Sequence, residues 1–254
     1  GFPLLTTKKM FTKGIIEELL FFIRGDTDTK KLEEKNVKIW KGNTTRDFLD
    51  NQKKWDYPEG EMGPMYGFQW RNYNQLYLPN LKDHNYLELS DSNLGIDQLS
   101  KVIEQIKQNP SSRRILMTDY NPLQVEQGVL YPCHSLMIQF FVRNEKLHIS
   151  MYQRSADVFL GLPFNIASTS LLLEIISKLT GYKPGTVTIN VGDCHIYEEH
   201  FEAVETQLQR IPYKMCKIKI PEFKNLKEVE ESSWKDYEIS NYKFYRSIRA
   251  KMIP

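Results

Sequence analysis

The sequence predicts an α+β fold with a large sheet, and three observations carry that reading. Two alternating apolar runs flank a polar turn, which is a strand signature. Several longer stretches carry apolar residues at helical spacing, and they are mixed with the strands without regular alternation. The 254 residues are 41 % hydrophobic and 12 % aromatic with a net charge of +2, enough apolar material for a substantial core and too little charge bias for disorder.

The elements follow in order. Thr12 is placed to cap a helix over Gly14–Arg24, whose apolar face is Ile15, Ile16, Leu19, Leu20 and Ile23, and Gly25 stops it. Residues from Trp40 to Asn93 are rich in Asn, Asp, Gly, Pro and aromatics and read as long ordered loops with short pieces of helix. Ile96–Gln108 is amphipathic through Ile96, Leu99, Ile103 and Ile106, with Pro110 after its end. Arg114–Thr118 is a short strand. In the block from Ser135 to Ser155, Leu136, Ile138 and Phe140 alternate before a turn at Arg143–Lys146, and Leu147, Ile149 and Met151 alternate after it. Phe164–Leu179 is apolar on several sides and should be a central buried helix. Thr186–Gly192 reads as a strand, His195–Gln209 as a helix carrying Phe201 and Leu208, and Met215–Ile220 as a strand. Nothing forces a domain boundary, so residues 1–254 read as one domain.

Composition removes several function classes. A nearly balanced charge argues against nucleic-acid or membrane binding driven by bulk charge. No run approaches the roughly 20 apolar residues of a membrane span, and Gly1-Phe2-Pro3 is not a secretory n-region. The cysteines Cys133, Cys194 and Cys216 form no CxxC pair and no disulfide framework, which predicts a reducing, cytoplasmic setting and no metal site. The absence of an initiator Met predicts a chain that is processed, truncated or cut from something longer.

Several residues could carry chemistry, each with a bland alternative. Cys133, in Tyr131-Pro132-Cys133-His134, is a candidate nucleophile or a buried structural thiol. Gln153-Arg154-Ser155-Ala156-Asp157 gathers a cation, a hydroxyl and a carboxylate at a strand end, or forms a surface ion pair. Arg113 and Arg114 suit an oxyanion, or are simply solvated. Asn165, in Gly161-Leu162-Pro163-Phe164-Asn165, could recognise a heterocycle's amide edge or cap a helix. His195 and Tyr197 could each reach a hydroxyl, or mark a capped helix start. Glu18 lies at the margin of the first helix's apolar face, where partial burial raises a carboxyl pKa. The helical wheel does not choose between Glu17 and Glu18.

The order of these motifs resembles the thymidylate synthase family. The matching segments are GFPLLTTKK, GIIEELLFFIRGDT, IW followed by RDFLD, GPMYGFQWR, NPSSRRI, PCH, YQRSADVFLGLPFNIAS and GDCHIY. Some look especially like the synthase halves of enzymes fused to dihydrofolate reductase, which makes such a fusion an expectation. The resemblance implies a three-layer fold with a large mixed sheet that forms a homodimer interface. It implies conversion of dUMP to dTMP, with 5,10-methylenetetrahydrofolate as carbon donor and reductant and no metal.

It also implies roles. Cys133 would add to carbon 6 of uracil, and Glu18, the second Glu of IIEELL, would run a proton network through water. Tyr66 would assist loss of the carbon 5 proton. Arg154 would touch the phosphate and favour the Cys133 thiolate, with Gln153 and Ser155 also in the nucleotide site. Arg113 and Arg114 would reach the partner subunit's phosphate. Asn165 would read the uracil edge, and His195 and Tyr197 the sugar hydroxyl. Asp157 would hold the pterin, with Trp40, Leu160, Gly161 and Phe164 around the folate. His134 would stand behind the reacting groups.

Three departures stand out. The N-terminal segment with a further phosphate-binding arginine is not in this sequence. TDYNP and LYPCH replace an Ala-Trp-Asn type segment and LPPCH, so Tyr120 would stand for an indole that meets the cofactor. The end, from Tyr242 to Pro254, lacks the family's Pro-His-Pro and small apolar tail. These departures keep two alternatives in view: a deoxyuridylate hydroxymethylase on the same fold, and a non-catalytic RNA-binding or interaction protein. Asn165 favours uracil over cytosine, which would call for Asp there.

Overall fold

The computed structural model describes residues 1–79 and 95–253. Helix α1 (Thr12–Arg24) opens the chain. Ile15, Ile16, Leu19, Leu20, Phe22 and Ile23 are all buried, each burial contributing about 1.5–3 kcal/mol. Thr12 is the first helical residue rather than the cap; Phe11 holds the cap position and offers no side-chain hydrogen bond. Gly25 closes the helix at φ 75°, its N–H on the Phe22 carbonyl at 3.0 Å.

Short helices α2 (Lys30–Glu33), α3 (Arg46–Asn51) and α4 (Gly67–Asn72) follow within ordered loops. The part of the predicted loop region from 80 to 93 lies outside the described residues. Helix α5 spans Gln98–Gln108, two residues shorter than predicted at its start. Asp97 caps it, accepting from the Ser100 N–H at 2.9 Å, while the Ile96 N–H bonds the Tyr73 carbonyl instead.

The main sheet has the order β1 (Leu116–Met117), β2 (Met137–Arg143), β3 (Lys146–Asp157) and β4 (Lys183–His195). It is mixed: β1, β2 and β3 are antiparallel neighbours, and β3 and β4 are parallel. The predicted hairpin is β2–β3, with Ile138, Phe140, Leu147, Ile149 and Met151 buried on one face. Helix α6 (Gly161–Thr180) crosses between β3 and β4, as a parallel connection requires, and packs on both. It begins three residues before the predicted Phe164, because Pro163 fits a first turn whose N–H groups have no partner.

The main departure comes after β4. Parallel pairing draws the chain out straight through Asp157↔His195, so His195 ends a strand rather than starting a helix. Tertiary pairing overrides the local helical signal there. Helix α7 is only Phe201–Leu208, and its Phe201 and Leu208 are exposed. β5 (Lys217–Lys219) pairs with β6 (Glu238–Ser240) in a separate ribbon, with α8 (Leu226–Glu231) between them. The face of the main sheet away from α6 exposes Leu116, Met137, Phe141 and Tyr152.

Candidate active site

The parallel register sets the site. It brings Ser155 opposite Asp193 and Asp157 opposite His195, so the C-terminal ends of β3 and β4 deliver their polar residues to one place. The loop bearing Cys133 is laid across β3: the Cys133 carbonyl accepts from the Arg154 N–H at 2.8 Å, and Arg154 Nε donates to the Pro132 carbonyl at 3.2 Å. The nucleophile candidate and the cation are therefore tied by backbone before any ligand binds.

Tyr66 approaches from the other side. It sits at φ 41°, a conformation costly for a non-glycine residue, just before α4. Gly67 explains how the surroundings hold it: a Cβ there would come 2.4 Å from the Phe22 carbonyl oxygen, so α1 and α4 touch through backbone. The Tyr66 ring stacks on Phe22 at 4.9 Å and lies 4.5 Å from His134 and 5.8 Å from Trp40. Its hydroxyl accepts from the Cys133 N–H at 3.2 Å and lies 3.6 Å from Sγ. Burial, reinforced by nearby Cys133 and Asp119, pushes the phenol well above its ordinary value.

The two neighbouring glutamates part company. Glu17 is fully buried and structural, accepting from Lys35 Nζ at 2.7 Å and the Trp234 N–H at 2.9 Å. Glu18 keeps some exposure to the cleft and accepts from Trp40 Nε1 at 2.8 Å. The enclosing protein still pushes its pKa up to about 7, against the opposing Trp40 bond. At neutral pH it can therefore give or take a proton.

Burial also raises the Cys133 thiol, with Asp119 and Glu18 adding to it. The Tyr66 hydrogen bond and the Arg154 charge oppose that rise without reversing it. Arg154 thus acts in the direction expected of it but does not by itself produce a thiolate. His134 is held neutral, its pKa lowered by burial to about 4. Asn165 is buried inside the helix rather than capping it, and shares a small pocket with His134, Phe22 and Trp70.

On the opposite flank, His195 Nδ1 lies 3.0 Å from Asp193 Oδ1, with Tyr197 edge-on to its ring at 5.0 Å. Asp157 Oδ1 accepts from the N–H groups of Phe159 and Leu160 at 2.9 and 3.2 Å, which leaves Oδ2 for a ligand. Gln153 is buried, and its Nε2 donates to the Ser155 carbonyl at 3.0 Å. Phe164 packs partly buried on the core, and Leu160 and Gly161 are half-exposed at the start of α6. Arg113, Arg114 and Tyr120 are exposed, and no hydrogen bond or ion pair joins their side chains to the Cys133 cluster among the described residues.

Sequence reasoning missed three residues here. Asp119 is buried behind Cys133. Lys8 is buried with Nζ donating to the Phe159 carbonyl, and burial, opposed by Asp157, lowers its pKa to about 8. His200 is fully buried, 3.6 Å from Asp157, and its Nε2 bonds the Lys251 carbonyl at 2.8 Å, which brings the C-terminal tail close to Asp157. Each came from a polar residue inside an otherwise ordinary segment, and only Asp119 carried a signal, since it lies in the departing TDYNP stretch.

A sequence model of the family described as thymidylate synthase matches residues 1–254. The chain belongs to the thymidylate synthase family. It is 44 % identical to human thymidylate synthase over 251 residues, covering 99 % of this chain and 77 % of that protein. It is 42 % identical to the Saccharomyces cerevisiae thymidylate synthase over 260 residues, covering 99 % and 82 %. It is also 44 % identical to a bifunctional dihydrofolate reductase-thymidylate synthase of Paramecium tetraurelia over 252 residues. That match covers 99 % of this chain and 52 % of the relative, so the chain spans about half of the bifunctional protein's length. Among the described residues no helix is long and apolar enough to cross a membrane. No group of three or more His, Cys, Asp and Glu residues there is placed to hold a metal ion.

Proposed function

We propose that residues 1–254 form one catalytic unit of a cytoplasmic homodimer that converts dUMP to dTMP, with 5,10-methylenetetrahydrofolate as cosubstrate. The observation that carries this is the Cys133 cluster itself: a thiol between a tyrosine hydroxyl at 3.6 Å and a backbone-tethered arginine, with a carboxyl of pKa about 7 in the same cleft. Family membership supports it, and the curated names of the relatives favour a synthase over a hydroxymethylase or a non-catalytic protein. The bifunctional relatives make a fused dihydrofolate reductase part of the same proposal.

Covalent catalysis splits a hard step into easier ones. Cys133 adds to carbon 6 of uracil, which makes carbon 5 nucleophilic. Asn165 holds the ring edge, and His195 and Tyr197 take the sugar hydroxyl. Arg154 and Ser155 hold the phosphate, with Arg113 and Arg114 supplied by a second copy. The folate supplies the one-carbon unit and then the hydride. Asp157, with one carboxylate oxygen unclaimed, and the partly exposed rings of Trp40 and Phe164 suit a flat, hydrogen-bonding pterin. Glu18 moves protons at the uracil edge, and Tyr66 relays the carbon 5 proton, passing its own hydroxyl proton to water as it takes the new one. The exposed apolar residues Leu116, Met137, Phe141 and Tyr152 support self-association through the sheet.

The test is mass spectrometry of the protein with 5-fluoro-dUMP and methylenetetrahydrofolate. We expect a stable ternary adduct on the Cys133 peptide and none in Cys133→Ala. A folded wild-type protein that forms no adduct contradicts the reading.

A further inference from the structure

Behind the nucleophile lies a polar chain that the proposed reaction does not use. Asp119 follows β1 and is 2 % exposed. Its Oδ2 accepts from Ser135 Oγ at 2.6 Å, and Ser135 Oγ lies 3.0 Å from His134 Nδ1. A hydroxyl has one hydrogen. Once Ser135 gives it to the carboxyl, Nδ1 of His134 must bring its own. The chain thus selects the tautomer of His134 with Nδ1 protonated and Nε2 free to accept. The His134 ring in turn stacks beside Tyr66, whose hydroxyl meets both the N–H and the sulfur of Cys133.

The other end of Asp119 shows how its charge is managed. Oδ1 is buried without a partner, and it lines a small cavity with Pro64, Met65, Gln69, Asn121 and Pro132. Gln69 Oε1 is also buried without a partner on that cavity. Two orphaned acceptors around one cavity lack a donor. A proton on Asp119 supplies it, directly or through one water. Burial independently pushes the Asp119 pKa up to about 8, so the proton is present at neutral pH.

We infer that Asp119 is a positioning residue for the Cys133 nucleophile: through Ser135 it fixes the His134 tautomer, and by holding a proton it keeps a negative charge away from the thiol. This rests on the reading of Cys133 as the nucleophile. The groups facing Cys133 are Tyr66 before α4, Glu18 on α1, Arg154 on β3, the adjoining His134, and Asp119. Of these, Asp119 connects to the cluster through Ser135.

Two variants separate charge from linkage. Asp119→Asn keeps an acceptor for Ser135 and removes the titrating group. Ser135→Ala keeps the titrating carboxyl and breaks the link. Asp119 gives up its proton before the raised Cys133 thiol titrates, so its charge is felt there. Alkylation of the ligand-free protein by iodoacetamide, followed at the Cys133 peptide across pH, should therefore show a midpoint about half a pH unit lower in Asp119→Asn. Long-range nitrogen NMR of His134 should show the Nδ1-protonated form in the wild type and in Asp119→Asn, and a mixture of tautomers in Ser135→Ala. Ser135→Ala should also lower kcat while leaving the nucleotide KM in place. An unmoved Cys133 midpoint in folded Asp119→Asn overturns the inference, as do unmoved His134 nitrogen shifts in Ser135→Ala. If Asp119→Asn does not fold, the His134 readout decides. Neither readout needs substrate, so a missing adduct would count against the proposed reaction and leave this result separate.

Discussion

The two sides of Cys133 are built on different terms. On one side Glu18, Trp40, Tyr66, His134 and Asp119 are supplied by a single chain, enclosed by core residues, and already bonded to one another. On the other, Arg154, Arg113 and Arg114 stand exposed, and among the described residues no hydrogen bond or ion pair joins the latter two to the cluster. The difference follows from what each side handles. Proton transfer at neutral pH needs carboxyl and phenol pKa values shifted by low dielectric, and only a finished core provides that. Anion binding needs cations that stay hydrated until the ligand arrives, since a buried unpaired charge is costly. On the proposed reading the proton side is complete in one chain, and the anion side waits for a ligand and a second copy.

The largest effect is expected on the proton side. Glu18→Gln should lower kcat about 10²–10⁴-fold with little change in nucleotide KM. It should also change the pH dependence of stability. The folded pKa of Glu18, about 7, lies above its ordinary 4.5, so the folded state binds the extra proton in that window. The Glu18 contribution to stability is therefore whole below about 4.5 and is lost as pH rises through about 7, roughly 3 kcal/mol; Glu18→Gln should lack that part of the change and keep only what Asp119 and His134 contribute in both proteins. Denaturant titrations at pH 5 and 8 measure this. Equal slopes in both proteins would break the contrast.

Next comes the contact that holds Tyr66. Gly67→Ala forces a methyl to within 2.4 Å of the Phe22 carbonyl, so α1 and α4 must separate. A loss of about 2–3 kcal/mol in stability is expected, with slower chemistry in whatever folds. On the anion side, Arg114→Ala should raise the dUMP KM about 10-fold to 100-fold with kcat largely kept, because one charge-assisted contact is lost. A fall in kcat alone would place Arg114 in the chemistry instead. Asp97→Ala removes the cap of α5 and a carboxylate partner of Arg71, and should cost about 1 kcal/mol or somewhat more with kinetics largely kept.

How much of this could be read in the sequence depends on whether the signal was local. The first helix, the β2–β3 hairpin and the long helix α6 were legible, because helical spacing, alternation and a terminal Gly state them within a few turns. The end of β4 was not, since His195 is held straight by Asp157 across the sheet. Glu17 and Glu18 look alike on a helical wheel; only Lys35 and the distant Trp234 N–H make one structural. Asp119 was marked only by its place in the departing TDYNP stretch, and its role was not legible because its partner Ser135 arrives 16 positions later, through a tertiary contact. Arg113 and Arg114 are exposed, as two adjacent arginines would predict, and the role proposed for them needs a second copy that one chain's sequence does not show.

The central claim is that the anion side is completed by a second copy while the proton side is not. Mixing two proteins, each with little activity when dUMP is held near the wild-type KM, tests it directly. One carries Cys133→Ala, the other Arg113→Ala with Arg114→Ala. After unfolding, mixing in equal amounts and refolding, half the dimers pair one chain of each kind and hold one intact site of two, so about a quarter of wild-type activity should return. If each chain completes its own phosphate site, the mixture will stay as inactive as its parts.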